Sequence, residues 1–494
     1  MLFNSTEFLF FFPIVLLAYL AMPKKARTPW LLLASYFFYG CWNYKYLALI
    51  LFTTVVTYAV GILLEKSKSE KGKKWILGTG ITLNLLVLVF FKYLDFLFAN
   101  ISRLLQLIHV NPVANPFDFL LPVGISFFTF QAIGYVIDVY RGDVPAEKNF
   151  LQYALFVSFF PQLVAGPIER SKNLLGQLRD LREKKLWNAQ GLLSGLGMVL
   201  WGLFMKMVIA DRIAIFVNEV YANTYAAGTT ERLVAAMGFS LQIYADFAGY
   251  SAVAIGASRM LGIRLMENFN TPLFSMSIAE FWRRWHISLS SWFRDYVYIP
   301  LGGNRKGKLR KYFNLMITFV LSGFWHGSAW KYIVWGGLHG VYQIVGELTM
   351  PIRKRVNAFF EVNENTFGHR LAKIAGTNFL VAFALIFFRA DSLRLGLDFI
   401  VGMFTKWNPW VLFDDSLYGW GLNHFEVSIL ALALLVLLGV SIARSKKGVD
   451  IGDYLLTQNV LFRFAVLLFL ALMILVFGEY GVDFDSNKFI YFDF

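Results

Sequence analysis

The residues best suited to chemistry in this sequence are three histidines that lie close together along the chain. There are six histidines among 494 residues, and His286, His326 and His339 fall within 54 positions. An imidazole titrates near neutral pH, so it can take a proton from a hydroxyl group or return one to a leaving group. His326 stands in Ser322-Gly-Phe-Trp-His-Gly-Ser328, at the end of an apolar stretch, and its flanking glycines let other groups approach closely. Residue types alone make His326 either a general base or a buried histidine bonded to a neighbouring helix.

Other chemistries have weaker support. Zinc binding by the three histidines is disfavoured because their spacings of 40 and 13 match no usual ligand pattern, and we predict no metal site. The segment Leu301-Gly-Gly-Asn-Arg-Lys-Gly307 is rich in glycine and positive charge but lacks the spacing of a P-loop. It predicts either a plain interfacial turn or a turn that contacts an anionic donor or a lipid head group, in which case Asn304 and Arg305 would be supporting residues of the site.

The composition indicates an integral membrane protein. Hydrophobic residues make up 57% of the chain and charged residues 16%, against about 45–50% and about 25% in soluble domains. The apolar run Phe8–Met22 ends in basic residues rather than a small-residue cleavage site, so we expect it to be the first span. The net charge of +14 is interpreted as basic cytoplasmic loops rather than nucleic-acid binding. The single cysteine, Cys41, excludes an internal disulfide and is expected to be buried.

The apolar runs predict the topology, since a helix needs about 20 apolar residues to cross the hydrocarbon core. Runs near that length occur at about residues 7–22, 28–42, 46–65, 75–99, 119–138, 191–218, 233–257, 311–326, 331–350, 373–389, 426–443 and 459–478. Basic clusters such as 66–74 and 353–355 mark cytoplasmic loops, whereas 100–118 and 406–425 hold few basic residues. The pattern predicts an all-α, polytopic protein of about 12 transmembrane helices in the cell membrane, with both termini extracytoplasmic.

Two stretches do not fit simple crossings. Residues 150–165 are apolar but flanked by basic loops, and residues 271–310 mix aromatic residues, arginines and a glycine-rich turn. Irregular backbone at membrane depth is tolerated only inside protein or beside a water-filled cavity. We therefore expect re-entrant or interfacial helices around a central cavity.

Charged residues inside the spans need partners, because an isolated charge in the membrane is costly. Lys92 and Asp95 stand three residues apart and could pair on one helix face. Lys206 is expected to snorkel toward the membrane interface.

Several long, aromatic-rich motifs extend the pattern around the histidines. They are Phe281-Trp-Arg-Arg-Trp-His-Ile-Ser-Leu-Ser290, Trp292-Phe-Arg-Asp-Tyr-Val-Tyr-Ile-Pro-Leu-Gly-Gly-Asn-Arg305, Gly323-Phe-Trp-His-Gly327, Trp335-Gly-Gly-Leu-His-Gly340, Tyr244-Ala-Asp-Phe-Ala-Gly-Tyr-Ser251 and Phe388-Arg-Ala-Asp391. In these motifs the chain resembles the membrane-bound O-acyltransferases, particularly their alginate O-acetylase branch. The resemblance runs from near residue 1 to the end, which implies one enzyme domain over 1–494 with its catalytic region at 271–340.

The resemblance implies an O-acyltransferase that moves an acyl group, most simply acetyl, from a cytoplasmic donor across the membrane to an exported polysaccharide or cell-wall polymer. His326 matches the family's catalytic histidine, His286 a second functional position, and His339 would lie near the same cavity. The implied donor is acetyl-CoA or an acyl-carrier thioester, with no tightly bound cofactor. Two other functions stay open: D-alanyl transfer to teichoic acid, and a transporter or flippase in which the histidines form a proton path.

The C-terminal tail carries a further hypothesis. Residues 480–494 form an aromatic tail that ends in Lys488-Phe-Ile-Tyr-Phe-Asp-Phe494 and is expected outside the membrane. In related acylation systems a tyrosine of such a tail is thought to carry the acyl group, which would make Tyr491 an acyl relay; an aromatic interfacial anchor is the alternative. The resemblance also implies an extracytoplasmic SGNH-type acetyltransferase, or a similar acceptor protein, as partner besides the membrane lipids.

Overall fold

The structure is a computed structural model that describes residues 1–117, 119–164, 166–183, 188–480 and 490. The first half of the fold contains α1 (Thr6–Ala21), α2 (Arg27–Asn43), α3 (Leu47–Lys66), α4 (Glu70–Leu88), α5 (Leu94–Leu107), α6 (Ile125–Arg141), α7 (Phe150–Ser158), α8 (Phe160–Leu163), α9 (Ser171–Arg179), α10 (Ala189–Leu203) and α11 (Asp211–Ala222). The second half contains α12 (Thr229–Met260), α13 (Ile278–Arg284), α14 (Ile287–Phe293), α15 (Lys308–His326), α16 (Trp330–Leu348), α17 (Met350–Phe359), α18 (Phe367–Arg389), α19 (Leu393–Thr405), α20 (His424–Lys447), α21 (Ile451–Leu456) and α22 (Val460–Phe477).

Short 3₁₀-helical and π-helical segments connect or extend these helices. Within the described part of the chain, 3₁₀ segments occur at Lys24–Ala26, Tyr44–Tyr46, Asp180–Arg182, Pro272–Phe274, Pro409–Leu412 and Asp415–Trp420. Three π-helical segments, Val89–Tyr93, Phe204–Ala210 and Arg294–Tyr298, lie within or at the end of longer helices. The described residues contain no β-strand, and the prediction of an all-α fold is confirmed.

The helices have the length and composition of a membrane protein. Six helical segments of the described chain are long and apolar enough to cross a bilayer: Lys24–Lys66, Glu70–Leu107, Ala189–Ala222, Phe367–Arg389, His424–Lys447 and Val460–Phe477. Large apolar side chains such as Leu9 on α1 and Phe464 on α22 are exposed, as expected for surfaces that contact lipid. Cys41 is also exposed on α2, so the expectation of a buried cysteine was wrong.

The centre of the fold is α12, whose second half is almost completely buried. Small residues let its neighbour α10 approach it closely: a Cβ atom on Gly195, Gly202, Gly249 or Gly256 would lie closer than 3.0 Å to atoms of the facing helix. Such small-residue contacts are the usual basis of helix packing in membranes, where lipid is as apolar as the helix surface.

The two irregular stretches are built from short, broken helices, and their re-entrant or interfacial placement stays a prediction. Within 150–165, α7 and α8 are separated at Phe159, and most side chains of both helices are buried. Within 271–310, α13 and α14 have seven residues each and are followed by a π-helical segment and a glycine-rich turn. Two hydrogen bonds fix the start of α13: the N-cap Ser277 hydroxyl accepts one from the Glu280 N–H (3.1 Å), and the Glu280 carboxylate accepts one from the Met276 N–H (2.9 Å).

A buried ionic cluster stands where α10 passes into α11. The Lys206 ammonium lies 2.9 Å from a carboxylate oxygen of Asp211 and 2.7 Å from one of Asp246, and all three side chains are buried. Lys206 therefore pairs with carboxylates and does not snorkel. The backbone N–H of Ile490 donates to the second oxygen of Asp246 at 3.0 Å, which ties this residue of the C-terminal tail to the centre of the fold.

Candidate active site

His326 is the last residue of α15, where the chain turns into α16. Glycines bring these two helices together, since a Cβ atom on Gly323 or Gly336 would lie closer than 3.0 Å to backbone atoms of the other helix. The close approach places the ring of Trp335 against His326, with centroids 4.9 Å apart and planes at 87°. Gly323, three residues before His326 in the sequence, thus serves helix packing.

His286 reaches His326 from a different part of the fold. It stands between α13 and α14 with φ of 43°, in the left-handed region that non-glycine residues seldom adopt, and its side chain is completely buried. The Ile287 N–H stabilises this bend by donating to the Asn268 carbonyl at 2.9 Å. The imidazole centroids of His286 and His326 are 6.5 Å apart, so the two histidines predicted to be functional do come together.

His339 joins the same cluster through Trp335. It is buried on α16, with its ring centroid 5.1 Å from that of Trp335. Its Nδ1 accepts a hydrogen bond from the indole N–H of Trp282, on α13, at 3.2 Å. A neutral imidazole that accepts at Nδ1 carries its proton on Nε2, so Trp282 fixes the tautomer of His339.

Two small cavities meet at His326. The first has a volume of about 10 Å³ and is lined by Ile243, Phe281, Trp285, His326, Trp335, His339, Val381, Leu385 and Phe388. The second has a volume of about 40 Å³ and is lined by Lys92, residues 121–127, Val164, Trp325 and His326. The first is about the size of one water molecule or one carbonyl oxygen. His326 therefore belongs to the walls of both cavities.

A much larger groove approaches the cluster without touching His326. It has a volume of about 1280 Å³ and is lined by residues of α13 to α18, including five basic side chains, Arg283, Arg294, Lys311, Arg353 and Lys373, and one acidic side chain, Glu347. Trp282 forms part of its wall and is the residue that binds His339. The Trp282–His339 hydrogen bond thus lies between the groove and the smaller cavity.

Lys92 holds the end of α15. Its ammonium donates to the carbonyl oxygens of Trp325 (2.7 Å) and His326 (3.2 Å), while Asp95 accepts a hydrogen bond from Asn115 at 2.7 Å. The predicted Lys92–Asp95 pair is therefore wrong, and the π-helical turn that contains Lys92 alters the register that a regular α-helix would have. A cation is favourable at a helix C-terminus, where carbonyl groups lack partners within the helix.

The remaining predicted site residues lie elsewhere. Asn304 and Arg305 are exposed in the turn after α14, away from the cavities at His326, and a contact with an anion or a head group stays a prediction. Tyr491 lies outside the described residues, although its neighbour Ile490 is placed at Asp246. Among the described residues, no group of three or more histidine, cysteine, aspartate or glutamate side chains is arranged to hold a metal ion.

Sequence reasoning missed the residues around the histidines. Trp282 and Trp335 were noticed as parts of motifs, but their contacts with His339 and His326 join separate helices. One signal for these contacts was present in the sequence: aromatic residues and histidine recur at high density in the motifs that start at Phe281, Gly323 and Trp335. The charge of Lys92 was a second signal, since a lysine inside an apolar helix requires a partner.

A cluster of buried histidines at a break between two helices defines a site suited to proton transfer. Comparison with known proteins gives the chemistry: residues 145–366 match the model of the membrane-bound O-acyltransferase family. The chain is 37% identical to a probable alginate O-acetylase of Pseudomonas aeruginosa over 440 residues, covering 88% of this chain and 81% of the relative. The chain belongs to the membrane-bound O-acyltransferase family, and it is an O-acyltransferase.

The names of two other relatives refer to different substrates. A peptidoglycan O-acetyltransferase of Helicobacter pylori is 35% identical over 433 residues, covering 82% of this chain and 80% of the relative. A teichoic acid D-alanyltransferase of Bacillus subtilis is 31% identical over 248 residues, covering 47% of this chain and 60% of the relative. The similarity to the two O-acetyl-transferring relatives therefore extends over far more of the chain.

Proposed function

We propose that this protein transfers an acetyl group from a cytoplasmic thioester through the membrane for O-acetylation of an exported polysaccharide or cell-wall polymer. The observation that carries the proposal is the position of His326 in the walls of two separate cavities. A donor in one cavity and an acceptor hydroxyl in the other would meet at one imidazole. The extent of the similarity to O-acetyl-transferring relatives favours acetyl over D-alanyl.

The large groove is the proposed entrance for the donor. Its five basic side chains suit the phosphates of acetyl-CoA or of a carrier-bound phosphopantetheine arm. Positive charge collects on the cytoplasmic side of membrane proteins, which supports a cytoplasmic opening. In this arrangement the thioester would pass the Trp282–His339 pair to reach the smaller cavity, and no tightly bound cofactor takes part.

His326 is the proposed general base. It removes the proton of the acceptor hydroxyl, whose oxygen attacks the thioester carbonyl carbon. The carbon–sulfur bond then breaks, the leaving thiolate takes the proton from the imidazolium, and an ester and a free thiol result. His286, 6.5 Å away between ring centroids, is the proposed second functional histidine, and His339 supports the cavity on the donor side.

The acceptor side concerns the C-terminal tail. We infer that Tyr491 receives the acetyl group and passes it to an extracytoplasmic SGNH-type acetyltransferase. Support comes from the position of Ile490, the residue before Tyr491, whose N–H is bound to Asp246. The residue after Asp246 is Phe247, and its ring centroid lies 4.7 Å from that of His286. The proposed topology has about twelve crossings of the cell membrane, re-entrant helices around the site and both termini extracytoplasmic.

The test uses the full chain in proteoliposomes supplied with labelled acetyl-CoA. We expect release of free thiol and label on Tyr491 as an ester, identified by mass spectrometry. His326→Ala should abolish both signals, whereas His424→Ala, at an exposed position, should retain them. Thiol release that persists in His326→Ala would contradict the assigned base, and full polymer acetylation by Tyr491→Phe would contradict the relay. Exclusive use of a D-alanyl carrier thioester would contradict acetyl transfer.

A further inference from the structure

Acyl transfer at His326 requires a group that stabilises the negative oxygen of the tetrahedral intermediate. Hydrogen-bond donors placed in advance, out of water, are usually the largest single contribution to this kind of catalysis. The sequence does not identify such a donor. In the structure the relevant place is the cavity of about 10 Å³ beside His326, because its size suits a carbonyl oxygen.

Trp335 has the properties of such a donor. Its side chain is 4% exposed, and its indole N–H is buried without a hydrogen-bond partner among the described residues. Buried donors in folded proteins are nearly always paired, so an unpaired one calls for an explanation. A donor kept free for a reacting group is one such explanation.

The surroundings of Trp335 point to the same role. Its ring lines the cavity that His326 and His339 also line, and its centroid lies 4.9 Å from that of His326. Phe388 packs against it with centroids 5.1 Å apart, and the adjacent Gly336 fixes α16 against α15. The indole is therefore held in place before any substrate binds, as electrostatic stabilisation requires.

We propose that the indole N–H of Trp335 donates a hydrogen bond to the thioester carbonyl oxygen as it becomes an oxyanion. The inference rests on the proposed function. As the acceptor oxygen bonds to the carbonyl carbon, its proton moves to His326 and the carbonyl π electrons move to the oxygen beside Trp335. The same electrons re-form the double bond when the carbon–sulfur bond breaks and the thiolate takes the proton from His326.

Trp325 offers a matched comparison. Its indole N–H is also buried without a partner among the described residues, and its ring lies at the same 4.9 Å from that of His326. It lines the other cavity, together with Lys92. If loss of any tryptophan beside His326 were damaging, the two positions would respond alike.

The experiment measures thiol release from acetyl-CoA by purified protein in nanodiscs. Trp335→Phe, and Trp335 replaced by benzothienylalanine through amber suppression, should each lower kcat about 10²-fold, with KM for acetyl-CoA nearly unchanged because the bond forms only in the transition state. The analogue has a sulfur atom in place of the indole N–H and otherwise keeps the shape of the ring system, so it separates the hydrogen bond from packing. Trp325 replaced by the same analogue, which preserves the lining of the second cavity, should show a much smaller decrease in kcat.

Two results would overturn the assignment while leaving the proposed function intact: wild-type kcat with benzothienylalanine at position 335, or an equal loss of kcat with the same analogue at position 325. The wild-type protein and His326→Ala are run in parallel. If the wild type shows no thiol release that depends on His326, the proposed function fails and the role of Trp335 fails with it.

Discussion

The imidazole rings of His286 and His326 lie 6.5 Å apart between centroids, although 40 residues separate them in the sequence. His286 occupies a left-handed backbone conformation between two short helices, and His326 ends a long one. Unusual backbone conformations tend to occur at functional sites, where the surrounding fold holds them in place. The pairing of a strained bend with a helix end therefore supports a shared role.

Replacement of His286 tests that role. We expect His286→Asn to lower the rate of thiol release about 10²-fold, in the range of a lost acid–base group, while the fold is retained because asparagine tolerates left-handed backbone. Size-exclusion profiles in detergent provide the check on folding. A variant with wild-type rate would show that His286 only fills space.

The cap on α15 should matter for catalysis. Lys92→Met removes the hydrogen bonds to the carbonyls of Trp325 and His326, and hydrogen bonds to charged groups contribute about 1.5–3 kcal/mol. We expect at least a tenfold loss of thiol release. Asp95→Asn is the matched control, since Asp95 contacts Asn115 and not α15. Equal rates in Lys92→Met and the wild type would contradict the importance of the cap.

Two adjacent glycines, Gly336 and Gly337, should differ sharply in their tolerance of substitution by alanine. A Cβ atom on Gly336 would lie closer than 3.0 Å to the Phe319 carbonyl oxygen, whereas one on Gly337 would meet nothing within 4 Å. Gly336→Ala should therefore separate α15 from α16 and reduce both the yield of folded protein and its activity at least tenfold, since overpacking costs about 1–3 kcal/mol or more. Gly337→Ala should behave as wild type. Activity is compared at equal amounts of folded protein. Similar yield and activity of the two variants would contradict the role of Gly336 in helix packing.

Loss of the cation in the buried cluster should destabilise the fold. Lys206→Met leaves the carboxylates of Asp211 and Asp246 buried without their cation, and removal of one partner of a buried ion pair costs about 3–5 kcal/mol. Thermal unfolding in detergent should show a clear decrease in Tm. The triple variant with Asp211→Asn and Asp246→Asn should recover part of it, and Lys66→Met, at an exposed position, should change little. An unchanged Tm in Lys206→Met would contradict this account.

One buried carboxyl group outside the spans predicts a pH dependence of stability. Burial raises the pKa of Glu169 to about 7 from its ordinary 4.5, against hydrogen bonds from the Met266 N–H and Asn173 that lower it. Between these values the folded state binds more protons than the unfolded state, so stability decreases as pH rises toward 7. Glu169→Gln should reduce the fall in Tm across this range, whereas Glu70→Gln, at an exposed position, should not. An identical fall in wild type and Glu169→Gln would exclude Glu169 as the cause.

The sequence alone determined the class of protein and the candidate functional histidines. An apolar content of 57% over 494 residues exceeds what soluble domains usually contain, and the irregular stretches were recognisable because basic or glycine-rich segments interrupt their apolar runs. His326 and His286 could be selected because ionisable groups are rare in apolar segments and the motifs around them are long. Those properties are local, so one-dimensional patterns are enough to reveal them.

Only the tertiary structure decided which residues surround the histidines. The sequence predicted Asp95 as the partner of Lys92. In the structure Lys92 lies in a π-helical turn and donates to carbonyl oxygens at the end of α15, including that of His326, 234 positions further along the chain. Likewise, the closeness of Trp335 to His326 depends on two glycines that let α15 and α16 touch. Contacts of this kind arise from helix register and helix crossing, which depend on all the packed neighbours together and are not encoded in any one segment.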